Sequence, residues 1–557
     1  MATLTWVSGS TKNWSDSTAW SPAQVPTAAD DIVFPGSSTG TLTINGTSGA
    51  PDLCRSVDFT GFGGTLLQAT TKQLNVGDGT TGHFKLVSGM TYIPSATSLI
   101  KFISTTTGNN ITTAAKRVGS FTFDGVGGEW TFQDACNSVS GSTITLTNGS
   151  LITNNQTVGA TSGVIFSSNN SNTRSLTLGT TTWTIPTTTG VTVWNIGTST
   201  GMTLSAASST INMGDPFTGV VFAGGGLTYG TFTTTSMTVA ANFTITGANT
   251  FGTLTLSVSG SSLNARTDGY FLAANQTVTG TFTSNGTAAN KRVFIGSNAP
   301  GTQRTISAAT VSCTYIDLRD ILGSGAGSWN LSGVTGGSGN CGGNSGITFN
   351  TAKNCYMKTA VSVNFSASNW YTTSGGSTLI SPTTPLPQDT CFFDANSITA
   401  GSVTVTYDYA RVPALDCTGV TNTPTWTRGR DLEFYGSLKL VSGMSILGSS
   451  FNTYFYNRSP ATLDTGGLTW ASTSLSPGII FCECFGTTLT QASNFTSNSY
   501  IYSQVGTFDT STYNHTAGAL ILGGGSFIQG SGTVTFGGGT YTGPGGGGGE
   551  TSHVFIG

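Results

Sequence analysis

The segment Ser175-Leu176-Thr177-Leu178, followed after Gly179-Thr180-Thr181 by Thr182-Trp183-Thr184-Ile185, puts an apolar residue at every second position. Side chains of an extended strand point alternately to opposite faces, whereas one helix face repeats every three or four residues. The segment therefore reads as two half-buried strands joined by a turn. The same alternation recurs at Thr143 to Leu146, Met237 with Val239, Phe243 with Ile245, and Leu254, Leu256 and Val258. These runs are rich in Thr, Val, Ile and Phe and are cut by Gly, Asn and Ser, as strands are. The chain is predicted to be all-β.

Between about residues 140 and 310 the strands return every 8 to 12 residues. That spacing suits serial β-sandwiches, and it also suits a parallel β-helix or β-solenoid with about three strands per turn. The solenoid is preferred, because stacked turns bury inward side chains against one another and pair their backbones between turns, which tolerates few charges and much Thr, Ser and Asn. Composition agrees. Only 8% of the 557 residues are charged, 78 are Gly, and mean hydropathy is +0.05. A low-charge, moderately apolar chain is neither ordinary disorder nor, without a Gly-X-Y period, collagen. A net charge of -3 gives no basic field for nucleic acid or an anionic membrane, and no run of 18 apolar residues predicts a membrane span.

A long internal repeat is also present. Lys85-Leu86-Val87-Ser88-Gly89-Met90 recurs identically as Lys439-Leu440-Val441-Ser442-Gly443-Met444. Asn13-Trp14 precedes the first copy much as Asn369-Trp370 precedes the second. Val25-Pro26 with Asp30-Asp31 is matched by Leu386-Pro387 with Asp389-Thr390, and the Cys54 segment resembles the Cys417 segment. Ordered landmarks at near-constant separation indicate duplication. The expected organisation is a β unit at 1–135, a solenoid-like region at 136–345, and a shortened second copy at 346–557. Gly336 to Gly346 reads as a flexible connection. The Gly-rich tail Gly543 to Gly549 is expected to pack no core.

Chemistry-bearing groups are sparse. Asp124, Glu129 and Asp134 form the densest carboxylate cluster, and Asp317 with Asp320 brackets Arg319. Carboxylate pairs cut glycosidic bonds, but turn capping and a local charge network are the favoured readings. Asp30-Asp31 reads as a turn cap rather than a calcium site, since no closing Glu follows. Cys482-Glu483-Cys484 places two thiols on one strand face, where core packing is favoured over a metal that would need a second pair. The other seven cysteines are scattered and expected to be free and buried. His83, His515 and His553 supply no triad, and Gly-x-Ser-x-Gly at Gly36 and Gly197 precedes no helix. No catalytic residue, cofactor or metal is assigned. Trp14 and Trp370 are expected to cap the first turn of each unit, while Trp183, Trp194 and Tyr371 are the candidate glycan contacts, because exposed rings stack on sugar faces.

The segments Asn275 to Gly280, Lys291 to Ile295, Gly301 to Ile306, Tyr315 to Ile321 and Gly339 to Thr348 resemble Ser/Thr/Gly/Asn-rich virion structural proteins of tailed bacteriophages. The resemblance covers mainly residues 140 to 350. It implies a non-enzymatic fibre or surface-decorating protein that attaches to a host-surface glycan or protein, contacts other virion proteins and assembles as a homotrimer. Met1 to Trp6 carries no Sec-type leader, which suits cytoplasmic synthesis and a place on the virion. A polysaccharide depolymerase on the same scaffold and a bacterial surface adhesin are the alternatives.

Overall fold

The computed structural model describes residues 2–7, 9–186, 190–214, 219–234, 242–258, 269–401, 403–409, 411–447, 451–470, 480–497 and 500–536. His553 and the Gly543 to Gly549 tail lie outside them.

The chain winds into a β-solenoid of about 20 turns, with 51% of residues in strands. The described residues contain no α-helix; the helical element they hold is a single 3-10 turn at Ser17–Ala19. No described helix is long and apolar enough to cross a membrane. Each early turn carries three short strands, as in Asp31–Val33, Thr41–Ile44 and Asp52–Cys54, followed by Ser56–Asp58, Thr65–Gln68 and Gln73–Val76. Each strand pairs in parallel with its counterpart one turn later. Asp31 meets Ser56, Thr41 meets Thr65 and Asp52 meets Leu74.

Register turns the alternating pattern into a core. Leu4, Ile32, Val57, Phe84 and Ile111 follow one another along one inner wall, in register from strand to strand. Cys54, Val76, Phe102, Phe123 and Leu146 do the same along another. All ten are buried. Burying each such large side chain contributes about 1.5–3 kcal/mol, and aromatic pairs such as Phe102 with Phe123, stacked at 4.9 Å, add to this. The intervening Thr, Ser and Asn face outward.

Two cores result. One runs from Leu4 to Cys341 and the other from Cys355 to Leu520. Residues 135 and 136 mark no break, since the strand Ser120–Phe132 pairs with Thr143–Ile152 and the first core passes through. The glycine-rich 336–346 segment, expected to be a flexible connection, instead closes the first stack. Its Ser338–Asn340 strand pairs with Ile316–Arg319, and Cys341 is buried.

The second unit repeats the first strand by strand. Asn354–Met357, Thr390–Phe392, Ala414–Asp416, Leu438–Lys439 and Ala461–Asp464 pair in the order of Thr3–Trp6, Asp31–Val33, Ser56–Asp58, Phe84–Lys85 and Asn109–Thr112. The pairing corrects two landmarks. Trp370 lies antiparallel to Met357 as Trp20 does to Trp6, and its indole donates to Phe365 O at 2.9 Å as that of Trp20 donates to Trp14 O at 2.9 Å. Trp370 is thus the counterpart of Trp20, and Phe365 that of Trp14. Likewise Cys417 N donates to Lys439 O as Phe59 N donates to Lys85 O, so Cys417 matches Phe59 and not Cys54. Trp6, Trp14 and Trp20 pack edge to face at the first turn and close that end of the core.

Candidate functional site

Outward positions of one wall of the first unit form a polar groove with a cavity of about 610 Å³. Parallel register brings Asp58 beside Lys85 and Lys85 beside Thr112. Lys85 Nζ donates to Asp58 Oδ2 at 3.2 Å, and the backbone and hydroxyl of Thr60 donate to Asp58 Oδ1 at 2.8 and 2.6 Å. Burial raises the proton affinity of Asp58, but the Thr60 and Lys85 hydrogen bonds outweigh it and leave the pKa lowered. Arg55 forms an ion pair with Asp31 on the preceding turn. His83 Nδ1 accepts from Asn110 N at 3.0 Å, so in this arrangement the proton of a neutral ring sits on Nε2. Gln133 Nε2 donates to Asn110 Oδ1 at 2.7 Å. The groove thus offers cations, carboxylates and amides to a polar ligand, with both of its carboxylates already engaged.

A second cavity of about 420 Å³ lies beside Asn45, Gly46 and Asp52. Burial raises the pKa of Asp52, against the hydrogen bonds it accepts from the Gly46 and Asn45 backbone at 2.8 and 2.7 Å. Asp52 is the one acidic residue of that lining. It caps the 45–52 loop.

The structure separates the sequence-derived candidates. Trp183 and Trp194 are fully buried, and their indoles donate to Val164 O at 2.9 Å and Tyr229 Oη at 3.2 Å. They pack edge to face at 5.4 Å inside the first core and cannot touch a glycan. Their polar neighbours face outward because strand alternation turns the indoles inward. Tyr371 is half-buried on the outer face of the second unit, with Lys358 Nζ 5.8 Å from its ring centre, in register with Tyr356.

Asp124, Glu129 and Asp134 do not form one site. Asp124 pairs with Lys101 at 2.7 Å and accepts from Asn148 at 2.8 Å, whereas Asp134 caps Thr113 and Ala114 on the preceding turn. Asp30 accepts from Thr27 and Ala2 as a turn cap, and Asp389 repeats this with Leu386 and Lys353. Cys482 and Cys484 are buried on one face with sulfurs 3.4 Å apart. Among the described residues no group of three or more His, Cys, Asp or Glu side chains is arranged to hold a metal.

Asp317, Arg319 and Asp320, expected to interact locally, instead join the two units. Asp317 accepts from Arg292 Nε at 2.7 Å and from Tyr409 Oη at 2.6 Å. Arg319 lies between the rings of Phe294 and Tyr456, at 5.1 and 4.6 Å. Asp320 receives Arg458 Nη2 at 2.7 Å, and Arg411 packs over Phe294 at 4.0 Å while pairing with Glu433 at 3.7 Å. Sequence reasoning missed this cluster because its members come from turns far apart in the chain. Comparison of the chain with protein-family models, with characterised proteins and with solved structures finds no match.

Proposed function

We propose that the protein is a non-enzymatic surface rod of the fibre or decorating kind, a virion component assembling as a homotrimer, which attaches to a cell-surface glycan through its outward-facing walls. The observation that carries this reading is the state of the groove carboxylates. A glycosidase needs one carboxyl held as a proton donor by a raised pKa and a second free to act as base or nucleophile. In the groove Asp58 has the opposite shift and a lysine partner, and Asp31 is bound by Arg55. Ion-paired, hydrogen-bonding side chains on a rigid sheet suit recognition of hydroxyl-rich ligands.

The test is to incubate purified protein with capsule or lipopolysaccharide from candidate host cells. Retention of the protein on the polysaccharide, with no oligosaccharide released, is expected. Release that is abolished by Asp31→Asn or Asp58→Asn would overturn the reading in favour of a depolymerase. Sedimentation showing a trimer, and recovery of the chain from purified particles by mass spectrometry, are expected of the same assignment.

A further inference from the structure

The duplicated units differ most tellingly along one outward row. In the second unit Tyr371, Tyr356, Phe392, Asp416, Lys439 and Asp464 stand in register on successive strands. All six are half-buried, and their neighbours Cys355, Trp370, Cys391, Leu415 and Leu438 point into the core. In the first unit the same positions are Ser21, Thr5, Val33, Asp58, Lys85 and Thr112. The Asp–Lys pair has persisted through duplication, while the three positions on one side of it are aromatic in the second copy.

We infer that this row is a saccharide-binding platform for an uncharged, extended glycan lying along the stack axis. The Tyr356 and Phe392 rings stack at 5.1 Å with an 18° interplanar angle. Neighbouring strands are about 4.8 Å apart, more than the carbon contact distance of about 3.5–4.0 Å, so these two rings overlap with an offset and each leaves part of a face uncovered, while Tyr371 stands beside them in register with Tyr356. Such a surface takes the C–H face of a pyranose ring, and the strand spacing matches the length of one hexose residue. Beyond the rings, Asp416 and Asp464 are oriented by hydrogen bonds from Thr418 N at 2.8 Å and Gly466 N at 2.9 Å. Lys439 stands between them and, among the described residues, forms no ion pair, unlike Lys85. The three offer acceptors and donors to hydroxyl groups. Two carboxylates against one ammonium disfavour a uronic-acid or sulfated chain. The inference rests on the attachment reading and specifies its ligand.

The test uses hexasaccharides of β-1,4-glucose, α-1,4-glucose and β-1,4-N-acetylglucosamine, with a hexagalacturonate as the acidic comparison, titrated calorimetrically against the full chain. The decisive variant is Tyr371→Ser with Tyr356→Thr and Phe392→Val, because the first unit already folds with those residues in the same register. At least one neutral hexasaccharide should bind the wild type and bind the variant at least tenfold more weakly. Lys439→Met should lose binding without loss of the folded circular dichroism spectrum. Absence of binding to all three neutral chains, tighter binding of the acidic one, or equal affinity of the triple variant would each overturn the platform. Retention of the triple variant on host polysaccharide at wild-type level would overturn the platform alone, whereas failure of the wild type to be retained would overturn attachment itself.

Discussion

Tyr409 Oη donates to Asp317 Oδ2 at 2.6 Å, a bond that spans 92 residues and ties the second solenoid to the first. Asp317 is fully buried and also holds Arg292, whose guanidinium donates to Gly336 O, Ile316 O and Gly337 O at 2.6, 2.8 and 2.9 Å. A buried carboxylate without such partners would be costly, so the closing turn of the first unit and the docking of the second share one charge.

Tyr409→Phe removes the hydroxyl and leaves the ion pair. It is expected to cost about 1–3 kcal/mol in chemical denaturation. Asp317→Ala strands the Arg292 guanidinium and is expected to cost about 3–5 kcal/mol. By contrast Lys85→Met, at a half-exposed pair, should change stability by less than about 1 kcal/mol. Equal effects at the two sites would refute the role given to the interface.

Gly149 and Gly506 occupy the same position in the long strands Thr143–Ile152 and Tyr500–Asp509, with φ of 78° and 83°. Added Cβ atoms would collide with Gly128 O and Cys484 O respectively. Each Gly→Ala substitution should cost about 1–3 kcal/mol through backbone strain, read from the denaturation midpoint. The two should behave alike.

His515 is buried against Phe495, ring centres 4.9 Å apart, with Nδ1 2.8 Å from Gln491 Oε1. Burial lowers its pKa from 6.5 to about 4. The unfolded chain therefore takes up a proton before the folded chain does. Stability is at its full value above pH 6.5 and falls as pH drops toward 4, by up to about 3 kcal/mol. Denaturation measured from pH 7 to 4.5 should show this loss in the wild type, and His515→Phe should flatten it. A wild-type curve flat across that window would contradict the assignment.

All nine cysteines are free and buried. Burial pushes the thiols of Cys54, Cys136, Cys341 and Cys417 up, and that of Cys313 to about 12, so little thiolate is available. A thiol reagent at pH 8 should modify none of these five in the folded protein within minutes and all nine cysteines in denaturant. Rapid modification of several thiols without unfolding would show that the stack opens.

The solenoid was legible because alternation at Leu176, Leu178, Trp183 and Ile185 is a local property of extended chain. The duplication was legible because its hexamers are identical, and both copies place their lysine beside an aspartate, Asp58 or Asp416. The alignment of Trp370 with Trp14 failed because a shared Asn-Trp dipeptide says nothing about pairing partners, which make Trp370 equivalent to Trp20. Trp183 and Trp194 looked available to a ligand because the threonines and asparagines around them dominate the local sequence; those residues are the outward half of the same strands. Of the candidate aromatics only Tyr371 lies outward, and its partners Tyr356 and Phe392 are invisible as a group until the turns are stacked.

Composition and period-2 patterning alone determined that this chain forms short strands with one apolar face and few charges, since those preferences act between neighbours along the backbone. Only the tertiary structure decided which residues share a row, where the first stack closes and which buried charges join the two units. Those relationships depend on register between segments about 25 residues apart and on contacts across more than 90, and no local preference encodes them.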